Sequence, residues 1–171
     1  MGREYIIEPE ELTVEGFAPY GQAILPPRHP APKRGEDWDC WFPLAGLTEG
    51  QMQVGIVTTR PVAGVISTMK REPKTELLLP ITGPVIQAVA LAGDLPDHDQ
   101  QPDAATVKAF IIQPGQAIIM APGIWHWAAL SVKGETLYYF VTEPHLPESG
   151  REASPWVPFL NNDTVQVLAP G

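Results

Sequence analysis

The chain is poor in cysteine, in basic residues and in long apolar runs. Its 171 residues include a single cysteine, Cys40. No internal disulfide can form, which suits a reducing compartment. Lys and Arg number 11 against 20 Asp and Glu, a formal net charge of −9. A surface of that sign offers no basic face to phosphates and argues against a nucleic-acid partner. No stretch approaches the about 20 apolar residues that span a bilayer, which argues against a membrane partner. No basic-then-apolar signal opens the chain, so a cytoplasmic location is expected. The G-x-S-x-G elbow, the P-loop and the Gly-rich dinucleotide fingerprint are also missing. Cys40 has no recognisable partner pattern and is expected to be a small buried residue rather than a nucleophile.

What is present is a β-rich, turn-rich chain. Hydrophobic residues make up 44% and charged residues 18%, the balance of a soluble globular protein, and 20 prolines and 15 glycines favour short strands over long helices. Short β-rich segments bounded by Gly, Pro or Asp run over Met52–Thr59, Gly64–Met69, Val85–Leu91, Lys108–Ile112, Gln116–Met120 and Thr136–Thr142, with Ala128–Val132 as a further strand. Pro-Gly at 114–115 and 122–123 and Lys-Gly at 133–134 mark turns. Strands at this spacing predict an antiparallel sandwich or barrel, and the length predicts one domain over 1–171. Near the N-terminus, Glu8–Leu12 is expected to open a short helix and Gln22–Leu25 to form a strand. Residues 26–39 are expected to be a loop, packed on the barrel by Trp38, Trp41 and Phe42; lining a pocket mouth is the alternative role for these aromatics. Residues 94–103 form a polar loop, with Asp103 positioned to cap a turn at Ala104–Thr106. The tail, 144–171, is expected to wrap the outside. No repeat or heptad pattern is present.

One constellation carries chemistry. Gly64, Lys70, Glu72, Glu76 and Gly83 stand at the spacing of the first cupin motif, G-x5-H-x-H-x3-E-x6-G, and Gly115 to Leu130 resembles the second, G-x5-P-x-G-x2-H-x3-N. The resemblance implies an all-β, single-domain cupin, an antiparallel β-barrel or jelly roll with few short helices. The metal box is rewritten: Lys70, Glu72 and Glu76 fill three of the four ligand positions and His126 the last. Alternation places Lys70 and Glu72 on one strand face. Glu76 lies beyond Pro73, so only the cupin spacing brings it near His126. Glu72, Glu76 and His126 could hold Mn, Fe or Zn as two carboxylates and an imidazole. The ammonium of Lys70 counts against a dication, and the metal-free reading is preferred. The carboxylates could instead form internal ion pairs with Lys70 or be plainly solvated, and His126 could simply pack between Trp125 and Trp127. Tyr138, Tyr139 and Phe140 alternate sides, with core packing as their default role. Arg71 points opposite Lys70. His29, His98 and His145 lie in loops and are expected at the surface.

Met69 to Val141 resembles the ureidoglycolate lyase family of cupins. The matching text is Pro73-Lys-Thr75-Glu76-Leu-Leu-Leu-Pro80-Ile-Thr-Gly83, Val85–Leu91, Pro102-Asp103 through Phe110-Ile, and Gly115–Gly123-Ile-Trp125-His126, with Phe17-Ala-Pro-Tyr20-Gly21 upstream. That family cleaves ureidoglycolate to glyoxylate and urea. Lys70 stands where the family usually has arginine, Arg71 where it has histidine, Glu76 where it has glutamine and Trp127 where it has a second histidine. The resemblance implies a carbon–nitrogen lyase with His126, Glu76 and Lys70 in catalysis. It sets Lys70, Glu72, Trp125 and Tyr139 against a small carboxylate substrate and requires no cofactor. A homodimer in purine catabolism is implied too. A metal-dependent cupin acting on a sugar or keto acid, and a non-catalytic binding cupin, are the alternatives.

Overall fold

The computed structural model describes residues 2–37, 39–47, 50–61, 64–93, 100–143 and 155–170. Trp38, His98, His145, most of the 94–103 loop and the first part of the tail lie outside the described residues. The fold is almost all β, built in three layers. The first is a five-stranded antiparallel sheet in the order Gly21–Ile24, Ala117–Met120, Glu76–Pro80, Thr136–Thr142 and Gln53–Thr59. A seven-stranded sheet runs through Val157–Pro158, Thr68–Arg71, Trp125–His126, Val85–Ala90, Lys108–Ile112 and Glu10–Glu11, with Leu130–Ser131 also paired to Val85–Ala90. A three-stranded sheet joins Glu4–Ile7, Thr164–Val167 and Val65–Ile66.

The seven-stranded sheet lies in the middle, and its central strand shows why. All six residues of Val85–Ala90 are buried. Val85 and Val89 enter a core shared with Leu78, Ile118, Met120 and Tyr138 of the five-stranded sheet. Ile86, Ala88 and Ala90 enter a second core with Ile66, Val165 and Val167 of the three-stranded sheet. A strand covered on both faces needs a continuous apolar run rather than alternation. Gln87 is the one polar member, and its amide donates to the carbonyls of Trp127 (2.6 Å) and Ala88 (3.0 Å). Phe17, Tyr20 and Phe110 add an aromatic cluster to the first core, with centroids 5.3–5.9 Å apart.

The expected strand series is present, with adjusted ends. Gly64–Met69 divides at Ser67 into Val65–Ile66 and Thr68–Arg71, which belong to different sheets. Ala128–Val132 contracts to Leu130–Ser131. Asp103 caps the 3-10 turn Ala104–Thr106 as expected, accepting from the Ala105 N–H at 2.9 Å. Other expectations are corrected. No helix forms at Glu8–Leu12; Glu10–Glu11 pairs in parallel with Phe110–Ile111 instead. The helix comes later, at Val14–Phe17, where Thr13 supplies a capping oxygen to Gly16 (3.0 Å) and Phe17 is fully buried. The described tail does not merely wrap the outside: Thr164–Val167 is the middle strand of a sheet. Glu76–Pro80 is a central strand that alternation missed. Phe42 is 75% exposed and does not pack the loop, whereas Trp41 is half-buried with its indole N–H donating to the His29 carbonyl. Cys40 is likewise only half-buried, in a two-residue hairpin strand.

Candidate functional site

Two sheets converge on the site. His126 lies opposite Lys70 on one side and opposite Val89 on the other, so all three share the face that looks into the first core. Glu72 follows directly after Thr68–Arg71. Its carbonyl accepts from Gly123 N–H at 2.8 Å, which ties the turn before His126 to the end of the Lys70 strand. Gly123 has φ +81°, a left-handed conformation that side chains disfavour. Glu76 arrives from the five-stranded sheet, opposite Met120 and Thr142. One ligand atom each of Glu72, Glu76 and His126 lies within 4.8 Å of the others.

The four side chains differ in charge state. Lys70 Nζ donates to Glu72 Oε1 at 2.7 Å, an ion pair with side-chain exposures of 28% and 10%. Its Nζ also lies 5.6 Å from the ring centroid of Trp156. His126 is buried, with Nδ1 3.1 Å from the Ile124 carbonyl. A carbonyl can only accept, so Nδ1 carries the proton and Nε2 keeps its lone pair. That Nε2 is buried and has no hydrogen-bond partner among the described residues. Burial lowers the His126 pKa to about 4; the Ile124 carbonyl opposes the shift and Lys70 adds to it. The ring is therefore neutral at pH 7. Glu76 moves the other way: burial raises its pKa to about 7, with Lys70 partly offsetting and Glu72 adding. The carboxyl is poised between its two forms near neutrality.

Lys70, Glu72, Glu76 and His126 are thus brought together, while Trp125 and Tyr139 are not. Trp125 faces the second core, where the Arg71 guanidinium sits 4.8 Å from its ring. Tyr139 is 39% exposed on the outer face of its strand. Neither reaches the cluster, because each is one residue out of phase with an inward neighbour. For Tyr139 that neighbour is Tyr138, buried in the first core. Burial raises the Tyr138 pKa to about 12, against the opposing Ala129 backbone, and Glu76 adds to the rise. Tyr138 lies within electrostatic reach of Glu76, and period-two alternation counted from Thr136 is the signal that distinguishes it from Tyr139. Trp156 is the other residue that sequence reasoning missed. The arrangement offers a neutral imidazole lone pair, a carboxyl able to give or take a proton near pH 7, and an ammonium for an anion. The donor set Glu72, Glu76 and His126 also fits a divalent cation, whose charge would relieve the buried carboxyl, although Lys70 already pairs with Glu72.

The ureidoglycolate lyase family matches residues 45–154. No curated protein matches the chain. Among solved structures, a dTDP sugar isomerase from Desulfovibrio desulfuricans G20 is similar at 14% identity and a TM-score of 0.50, over 82% of this chain and 86% of that one. RmlC from Streptococcus suis is similar at 15% identity and a TM-score of 0.41, over 58% of this chain and 47% of that one. Oxalate decarboxylase from Bacillus subtilis is similar at 15% identity and a TM-score of 0.41, over 57% and 23%. The chain thus spans less than half the length of these last two. At 14% identity the likeness to the isomerase is one of fold alone.

Proposed function

The chain belongs to the ureidoglycolate lyase family, and from that premise we propose that it is a carbon–nitrogen lyase, cleaving ureidoglycolate or a related small carboxylate. Its fold is that of a cupin. The observation that carries the proposal is a neutral His126 Nε2, without a hydrogen-bond partner among the described residues, near a Glu76 carboxyl whose pKa is about 7, beside the Lys70 ammonium.

In this mechanism Lys70 binds the substrate carboxylate by charge. His126 Nε2 takes the proton of the substrate hydroxyl, and the O–H electrons form the carbonyl of glyoxylate. The C–N bond breaks and its electron pair goes to the urea nitrogen, which takes the proton of Glu76. The products are glyoxylate and urea, leaving an imidazolium and a carboxylate. Transfer of one proton between them restores the resting state, and their ligand atoms lie within 4.8 Å. General acid and base groups of this kind each contribute about 10²–10⁴-fold. The direct test is incubation with ureidoglycolate and measurement of glyoxylate. Release faster than the spontaneous rate is expected. Saturable binding without turnover would leave a binding cupin.

The convergence of Glu72, Glu76 and His126 favours one second reading, a metal-dependent cupin enzyme acting on a sugar or keto acid. A bound divalent metal would supply Lewis acidity there. Elemental analysis of protein purified without chelator separates the two readings. The lyase account expects activity to survive chelator, whereas stoichiometric metal lost in Glu72→Ala and His126→Ala would favour the second.

Further parts of the proposal concern the whole chain. Residues 1–171 act as one cytoplasmic domain in the breakdown of purine-derived ureides. No helix among the described residues is long and apolar enough to cross a membrane. A homodimer would form through the outer face of the five-stranded sheet. Val54, Ile56 and Tyr139 are exposed there at 67%, 54% and 39%. The edge strand Gln53–Thr59 pairs on one side only among the described residues.

A further inference from the structure

Trp156 has no part in the chemistry described above, yet it reaches the site. Strand Val157–Pro158 pairs with Thr68–Arg71, Val157 opposite Met69 and Pro158 opposite Thr68. Continuing that register by one residue sets Trp156 beside Lys70. The side chain follows: Lys70 Nζ lies 5.6 Å from the Trp156 centroid. Trp127, which follows His126 in the chain, meets the Trp156 ring at 4.7 Å and 61°. Trp156 remains 40% exposed and the Lys70 side chain 28%, so both lie where a solute can arrive.

The two partners of the ammonium act differently. Glu72 takes one N–H donor at 2.7 Å. An aromatic face attracts the cation through its quadrupole and consumes no N–H donor. A lysine has three donors on a flexible four-carbon stem. With the ring as its second partner, the ammonium is held in place and still has donors for an incoming anion. We propose that Trp156 is a positioning residue for Lys70: it holds the ammonium at the mouth of the site for the substrate carboxylate, and Trp127 in turn holds Trp156. The inference rests on the reading of the Lys70 cluster as a carboxylate-binding lyase site. It adds that specificity for carboxylates depends on a residue delivered by the segment that leads into strand Val157–Pro158.

Because Trp156 acts through Lys70, its effect belongs in binding rather than in proton transfer. The experiment uses the full chain with glyoxylate as the probe, measured by calorimetry, alongside ureidoglycolate kinetics. Trp156→Leu should weaken glyoxylate binding about three- to tenfold, in keeping with a partly exposed cation–π contact. KM for ureidoglycolate should rise by a similar factor while kcat changes less than about twofold. Trp156→Phe keeps a ring face and should recover most of the loss. In a Lys70→Met background, Trp156→Leu should have no further effect on binding. A merely structural tryptophan would lower the melting temperature and leave binding per folded molecule unchanged. If Trp156→Leu binds glyoxylate as wild type does, or weakens it equally with and without Lys70, the inference is wrong and the lyase reading stands. If wild type neither binds glyoxylate nor turns over ureidoglycolate, the lyase reading falls and takes the inference with it.

Discussion

Glu76 and His126 are held out of their usual protonation ranges by the same cause, burial, and in opposite directions. Each therefore has a consequence for stability as well as for catalysis. The folded-state pKa of Glu76 is raised to about 7. Its contribution to stability is full below the unfolded carboxyl range and is lost as pH rises through 7. We expect wild type to lose on the order of 2 kcal/mol between pH 5 and 8 from this group, allowing for its partial exposure. Glu76→Gln should flatten that loss in denaturant titrations; an unchanged slope would mean that the carboxyl is solvated. His126, with its pKa lowered to about 4, contributes stability that is present above the unfolded imidazole value and lost as pH falls through 4. Lys70 lowers the pKa of both groups. Lys70→Ala should raise both, and should weaken carboxylate binding by about 1.5–3 kcal/mol. Carboxylate binding equal to wild type would place the anion site elsewhere. The shared face of Lys70 and Glu72 is legible from alternation. The pKa directions are not, because they follow from burial between two sheets. Nor is Trp156, which precedes a two-residue strand that propensity cannot detect.

At the scale of elements, the site depends on how strand ends are pinned. The turn between Ala117–Met120 and Trp125–His126 passes through Gly123 at φ +81°, with no neighbour among the described residues within 4 Å of an added Cβ. A substitution there acts through the backbone alone. Gly123→Ala should cost about 1–2 kcal/mol in chemical denaturation. It should also lower kcat, because the Gly123 N–H anchors the Glu72 carbonyl. A neutral effect on both would show that the turn does not set the register of His126. Most strands of the five- and seven-stranded sheets are legible, since alternation or a bounded apolar run marks them. Glu76–Pro80 is not, because three consecutive leucines between prolines carry no period. Thr164–Val167 is missed for a different reason. It gains its stability from distant Glu4–Ile7 and Val65–Ile66, and no local signal records such pairings. The helix at Val14–Phe17 shows the converse: a local cap at Thr13 and the buried Phe17 outweigh the proline-led start at Glu8–Leu12.

In the whole molecule, a three-layer β fold carries a site in which one sheet supplies Lys70, Glu72 and His126 and the other supplies Glu76. The apolar outer face of the five-stranded sheet predicts a dimer by sedimentation, which Val54→Lys with Ile56→Lys should convert to monomer. A monomeric wild type would contradict that part. In the proposed reaction the proton roles are divided between His126 as base and Glu76 as acid. The base must be unprotonated, so activity requires pH above about 4, and the acid must be protonated, so activity requires pH below about 7. The decisive measurement is the pH dependence of kcat/KM for ureidoglycolate cleavage, corrected for the spontaneous reaction, in wild type and Glu76→Gln. A bell with limbs near 4 and 7 is expected in wild type. In Glu76→Gln the activity should be about 10²–10⁴-fold lower, with the upper limb gone. A wild-type profile that instead rises through pH 7, or an upper limb that survives in Glu76→Gln, would contradict these roles.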